Sequence, residues 1–409
     1  MINTFSFTFL LFMLFGLSSG GRVKQLLGYS QHSVTTFGSV RDNIGLCKLR
    51  VEIYGYNCEE HTVTTQDGYI LSLQRIPQGR SGQTTGDRPP VLLQHGVLMD
   101  GMTWLINAPD ESLAYILADN GFDVWIANAR GTRYSRGHTS LSPNDGAYWD
   151  WTWDQLVADE LPAIFQYVHD QTGQKLHYVG HSLGTLVAFA SFSLQMLLDK
   201  LRSAALLSPI AYLGHVSSLL CRIAAEDHMA EAMLGLGYPE FDPKGRGVAI
   251  LLKTLCKKPN VNCYDLMTVF TGPNCCLNSS TVELFLQNEP QSTSTKNVIH
   301  LSQMLRGNTI SMFDYGSDDE NMKHYGQSTP PAYNMKSIPT DLPLYLAYGG
   351  QDALSDPNDV QVLLQDLTNH EGDGIVVQYR EDYAHADYVM GVNAKQVVYD
   401  PMMAFFKLH

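Results

Sequence analysis

The sequence predicts an α/β fold, with a mostly parallel sheet, helices on both of its faces and a helical insertion late in the chain. Three observations predict it. From Pro90 to Leu207, short and continuously apolar runs alternate with helical stretches, the pattern of buried parallel strands joined by crossover helices. The same alternation resumes at Leu342 and runs to the C-terminus. Between about 211 and 335 it lapses, and helical patterning continues without clear strands.

Taken in order, the chain opens with an apolar run, Phe5 to Leu17, followed by Ser18, Ser19, Gly20 and Gly21. That is the pattern of a signal-peptide core and a small-residue cleavage region over residues 1–21, although no Lys or Arg precedes it. The run is too short to span a bilayer, and no later stretch is long enough, so the mature chain carries no stable transmembrane segment. Residues from Gly21 to Gly45 are polar and patternless. A hairpin follows, His61 to Thr65 and Tyr69 to Leu73, around the turn residues Gln66-Asp67-Gly68. Gln78 to Pro90 reads as a surface loop.

Buried strands are expected at Val91–Gln94, Phe122–Asn128, Leu176–Val179, Ala204–Leu207, Leu342–Tyr348 and Ile375–Tyr379. Helices are expected at Ser112–Asn120, Trp153–His169, Asp359–Leu367 and Ala394–Leu408. The sheet-forming parts are 45–210 and 336–409. The insertion, 211–335, holds helical stretches at Leu219–Leu236 and Val248–Leu255. It also holds Met229, Met233, Met267, Met304, Met312 and Met322, either an adaptable apolar surface or ordinary core packing.

The organising stretch is Leu176 to Leu198. A short strand runs into Gly180-His181-Ser182-Leu183-Gly184, and a helix begins at once. A strand that turns directly into a helix forces its corner residue into a strained conformation and lifts that side chain clear of the sheet. Side chains two positions either side would collide, so glycine stands there. The Ser182 hydroxyl then sits at a helix N-terminus, where free backbone N–H groups favour developing negative charge. Spacing alone is weak, since Gly16-Leu17-Ser18-Ser19-Gly20 also matches. Only the Ser182 copy has the strand before it and the helix after it.

A serine hydroxyl needs a base, and the base needs an orienting carboxylate. Asp352 directly follows the Leu344–Tyr348 strand, and His385 follows the Ile375–Tyr379 strand. The order Ser, Asp, His and the placement at carboxyl ends of strands both fit a nucleophile elbow. Asp356 and Asp387 compete for the carboxylate role. His181 must point away from Ser182, and His95, His138 and His177 read as structural. The oxyanion donors are expected to be the backbone N–H groups of Leu183 and of Val97, which follows His95-Gly96.

The stretches Glu59-Glu60-His61, Gln66-Asp67-Gly68-Tyr69-Ile70-Leu71, Leu93-Gln94-His95-Gly96 and Asn128-Ala129-Arg130-Gly131 carry a resemblance. So do Leu176 to Ser182, Pro330-Pro331-Ala332-Tyr333-Asn334, Gly349-Gly350-Gln351-Asp352 and Tyr383-Ala384-His385-Ala386-Asp387. Over about residues 45 to 405 the chain resembles the acid lipase family, which includes gastric, lingual and lysosomal acid lipases and plant relatives. The resemblance implies an α/β-hydrolase fold with a helical cap, a triad of Ser182, Asp352 and His385, and oxyanion positions at Val97 and Leu183. It implies hydrolysis of triacylglycerols or cholesteryl esters at a lipid–water interface, with no cofactor and no metal. Two features depart from animal relatives, which have Gln where this chain has Leu183. The pair Cys47 and Cys58 looks more plant-like.

Of seven cysteines, five fall in the insertion. Cys47 with Cys58 and Cys256 with Cys263 are plausible pairs, leaving Cys221, Cys275 and Cys276. That number agrees with an oxidising compartment, as does the sequon Asn278-Ser279-Ser280. Secretion or vacuolar delivery is therefore expected. A net charge of −14 argues against nucleic-acid binding and against adsorption to anionic membranes. The expected function is a serine-dependent triacylglycerol lipase. Steryl esterase, phospholipase, short-chain esterase and a non-catalytic lipid-binding protein are the alternatives.

Overall fold

Strand β1 (Glu59–Thr64) and strand β2 (Tyr69–Ile76) pair antiparallel around the Asp-Gly turn. The structure is a computed structural model that describes residues 45–82, 87–256, 265–370 and 372–409. The leader expected over 1–21 and the residue Cys263 lie outside the described residues.

Next come β3 (Pro90–Gln94), β4 (Asp123–Ala127), the two-residue β5 (Gly137–His138), β6 (Leu176–His181) and β7 (Leu201–Leu207). After the insertion come β10 (Leu344–Gly349) and β11 (Ile375–Arg380), while β8 (Glu240–Phe241) and β9 (Thr293–Ser294) pair within it. The main sheet runs β1-β2-β4-β3-β6-β7-β10-β11, with β5 alongside β2. From β4 to β11 every pairing is parallel, and β1, β2 and β5 add an antiparallel edge.

Successive strand residues point to opposite faces, and both faces are covered. Leu92, Trp125, Tyr178, Leu206 and Leu346 pack with Phe165, Leu186 and Phe189 on one face. Val91, Leu93, Ile126, Val179, Ala205 and Tyr345 pack with Tyr115, Val398 and Met402 on the other. The helix Leu183–Ser193 is buried at all eleven positions, as an apolar-all-round helix must be.

The insertion departs from expectation in two places. The stretch read as one helix, Leu219–Leu236, is two helices, Leu219–Glu226 and Met229–Gly235. They break at His228, whose φ is 50°, a left-handed conformation that no helix interior accepts. The short β8–β9 pair also went unforeseen. Most of the methionines there pack. Met233 and Met304 are buried, Met267 and Met312 are partly buried against the cores, and Met322 is exposed. Cys47 and Cys58 form a disulfide as expected. Cys275 and Cys276 form another, which spacing did not suggest.

Candidate active site

Ser182 stands between β6 and the helix Leu183–Ser193 with φ 55° and ψ −119°. This is strained for a residue with a side chain. The strain is held from both sides. Ser182 N–H donates to the Leu207 carbonyl at 3.2 Å. Its own carbonyl accepts from Thr185 Oγ1 at 2.7 Å. The flanking glycines are required by close approach. A Cβ on Gly180 would lie 2.8 Å from backbone atoms of Gly184, and one on Gly184 would lie 2.6 Å from the Gln94 carbonyl oxygen. The elbow is therefore wedged against the end of β3.

β10 and β11 end on the same side as β6, so their loops reach this corner. His385 Nδ1 lies 2.9 Å and 3.0 Å from the two oxygens of Asp352. A carboxylate only accepts, so Nδ1–H donates, and in the neutral ring the lone pair is then on Nε2. His385 is 5% exposed and Asp352 2%. Asp352 Oδ1 also accepts the N–H groups of Leu354 at 2.9 Å and Ser355 at 2.8 Å, which fixes the carboxylate. The acid loop and the histidine loop meet at Gly349, where a Cβ would fall 2.1 Å from the Tyr383 carbonyl.

The competing carboxylates do other work. Asp356 caps the helix Pro357–Asp366 by accepting from Asn358 N–H. Asp387 accepts backbone N–H groups from Ala384, Cys275 and Cys276. Neither is hydrogen-bonded to His385. His177 is bonded to Ser203, and His138 to the Asp67 carbonyl.

Two histidines do more than sequence reasoning assigned. His181 donates from Nε2 to the His385 carbonyl at 3.0 Å, and the two rings lie 4.8 Å apart, centre to centre. This brings the His385 ring beside the elbow. Burial holds the His181 pKa well below the ordinary value, so the ring stays neutral. His95 donates from Nδ1 to the Gly96 carbonyl at 2.8 Å and accepts Ala129 N–H at Nε2, which fixes the loop leading to Val97. No sequence signal separates such histidines from core ones, because the partners are backbone groups, and those that tie each ring to another element, His385 and Ala129, are distant in sequence.

Val97 and Leu183 line one cavity of about 20 Å³ beside the elbow, room for about one water. Ser182, Asp352 and His385 do not line it, and Ser292, Thr293 and Asn297 of the insertion do. Leu183 is the first residue of its helix, where the N–H has no intrahelical partner. Among the described residues, Cys275, Cys276 and Asp387 cluster as metal-ligating types, but the two sulfurs are joined to each other. This leaves no thiolate to offer.

Comparison with known proteins shows the family. A family described as a partial α/β-hydrolase lipase region matches residues 48–108, and one described as the α/β-hydrolase fold matches 89–229. Triacylglycerol lipase 2 of Arabidopsis thaliana is 56% identical, covering 89% of this chain and 88% of its own. Triacylglycerol lipase 1 of the same plant is 41% identical, covering 88% and 90%. Human gastric triacylglycerol lipase is 34% identical over 87% of this chain and 89% of its own. Among solved structures, a carboxyl esterase from Bacillus coagulans aligns with a TM-score of 0.53 at 14% identity, covering 86% and 98% of the two chains. That likeness concerns the fold alone.

Proposed function

The chain belongs to the acid lipase family of α/β-hydrolases, and we propose that it is a serine carboxylic ester hydrolase acting on triacylglycerols. The observation that carries this reading is the buried, doubly hydrogen-bonded pair of His385 and Asp352, brought by separate strands to the rim where the strained elbow presents Ser182.

Ser182 Oγ attacks the ester carbonyl, and His385 Nε2 takes its proton. Asp352 holds the imidazole in the required tautomer and stabilises the imidazolium that forms. The carbonyl oxygen becomes an oxyanion facing the N–H groups of Val97 and Leu183, each worth roughly 3 kcal/mol of transition-state stabilisation. The imidazolium then protonates the leaving alcohol, and an acyl-enzyme remains on Ser182. Water, deprotonated by the same Nε2, releases the fatty acid and restores the hydroxyl. His385 must be neutral to take the serine proton.

The segment 211–335 serves as the cap over this rim. Delivery through the secretory pathway is supported by the disulfides Cys47–Cys58 and Cys275–Cys276, which persist in oxidising compartments. Asn278 is exposed, as a glycan acceptor must be. Among the described residues, no helix is long and apolar enough to cross a membrane.

The test compares emulsified long-chain triacylglycerol with steryl ester, phospholipid and short-chain ester. Triacylglycerol should be preferred, and Ser182→Ala should lower its kcat by roughly a millionfold. Full turnover in the pure variant would overturn the assignment of Ser182. A preference for another ester would overturn the substrate and leave the mechanism standing.

A further inference from the structure

The loop that carries His385 is gripped by a piece of the helical insertion. Three consecutive amides are involved. Ala384 N–H donates to Asp387 Oδ2 at 2.8 Å. His385 N–H donates to the Thr271 carbonyl at 3.1 Å, and Ala386 N–H to Asn274 Oδ1 at 3.0 Å. Asp387 completes the grip from the other side. Its Oδ1 accepts Cys276 N–H at 3.0 Å, and its Oδ2 accepts Cys275 N–H at 3.1 Å. One buried carboxylate thus ties the residue before His385 to two successive amides of the insertion.

Those two amides belong to the two cysteines joined by a disulfide across a single peptide bond. The ring that closes confines the intervening backbone, so that both N–H groups converge on one acceptor. Successive N–H groups converging in this way form a small anion-binding concavity. Cys275 is exposed and Cys276 half-buried, so a small thiol can reach the bridge. Cys47, in the other described bridge, is buried.

We propose that the Cys275–Cys276 disulfide is a redox-sensitive modification site that sets the position of His385 through Asp387. The inference rests on His385 being the catalytic base. Asp387 is a positioning residue here and touches no reacting atom. In the opening step, one thiolate of an external dithiol attacks a cysteine sulfur and forms a mixed disulfide. The second thiol displaces it, leaving the dithiol oxidised to its cyclic disulfide. Two electrons and two protons pass to Cys275 and Cys276, which become thiols. The backbone between them is then free to turn, Asp387 loses convergent donors, and the histidine loop relaxes.

The experiment titrates dithiothreitol against the purified enzyme and maps free thiols by alkylation. Short-chain ester turnover is followed throughout. At the point where Cys275 and Cys276 are alkylated but Cys47, Cys58 and the disulfide-bonded Cys256 are not, kcat should fall roughly ten- to a hundredfold, the scale of an ångström-level misplacement. KM should stay within about twofold, and labelling of Ser182 by a serine-reactive phosphonate should slow with kcat. Reoxidation of a sample not alkylated should restore kcat. Cys275→Ser/Cys276→Ser should start at the low kcat and ignore reductant. Asp387→Asn should lower kcat at constant KM and move the acid limb of the kcat/KM profile. Three results would overturn the proposal: free thiols at Cys275 and Cys276, beside the unpaired Cys221, in the enzyme as purified, full kcat after verified opening, or a double variant that still loses activity over the same range of reductant. A folded, oxidised enzyme without any ester turnover would overturn the hydrolase reading as well, whereas turnover indifferent to reduction would overturn only this proposal.

Discussion

The two sides of the rim around Ser182 are both held by the helical insertion, but by different chemistry. On the oxyanion side the grip is a buried charge cluster. Arg133 donates from Nε to Asp100 at 3.0 Å and from Nη1 to Asn288 at 3.2 Å, and Asp100 N–H donates to Glu289 at 3.3 Å. Gln291 N–H donates to the carbonyl of Leu98 at 2.7 Å, directly after Val97. On the histidine side the grip consists mainly of backbone amides closed by a disulfide. Two carboxylates share one arginine on the first side, so burial and the neighbouring Asp100 push the Glu289 pKa well up. The oxyanion side should therefore respond to pH, and the histidine side to thiols. An insertion attached by two unlike fastenings should loosen on one side of the rim without disturbing the other.

The largest expected effect breaks the histidine side at its chemistry. Asp352→Asn leaves the loop in place but favours the wrong imidazole tautomer, and kcat should drop by roughly ten-thousandfold. Single-turnover kinetics on a chromogenic ester would check it, and a loss under tenfold would remove Asp352 from the mechanism.

Next, Gly96→Ala strikes the oxyanion side. The new Cβ would fall 2.9 Å from Ser182 Cβ and 3.3 Å from its Oγ, so the Val97 amide must shift. A kcat loss on the order of a hundredfold is expected with circular dichroism unchanged. Unchanged kcat would mean that this loop holds no donor.

Glu289→Gln sharpens the contrast between the two fastenings. The folded-state pKa of Glu289 lies above its ordinary 4.5, so its contribution to stability is full below that value. It fades as pH rises through the folded value. Thermal unfolding of the wild type should thus weaken with rising pH relative to Glu289→Gln, by on the order of 1–2 °C for each kcal/mol involved. Parallel curves from pH 4 to 8 would show that the cluster carries no linked proton.

The smallest effect is a control on the acid loop. Asp356→Ala removes only a helix cap and should cost about 1 kcal/mol of stability, with kcat within about twofold. A large kcat loss there would reopen the choice of carboxylate.

Much of this was legible in the chain as written. Periodicity placed every strand of the main sheet except the two-residue β5 within a few residues. The Gly-x-Ser-x-Gly elbow was legible because its demands are local: a corner, two collisions and a helix start, all within five residues. The meeting of Asp352 with His385 was legible by rank order, since each follows a strand and loops leave the carboxyl ends of parallel strands together. The break at His228 was not legible, because Asp227 and His228 are only mildly unfavourable to a helix and the apolar pattern continues on both sides of them.

What the sequence determined by itself was whatever depends on neighbours along the chain: strand and helix periods, the hairpin turn, the strained serine corner and its glycines. The tertiary structure alone decided which carboxylate faces the imidazole, which histidines hold backbone carbonyls, and how the insertion fastens to each side of the rim. The reason is physical. Asp352, Asp356 and Asp387 are chemically alike, and their roles differ only by which donors the fold brings within about 3 Å, over separations that no local pattern encodes.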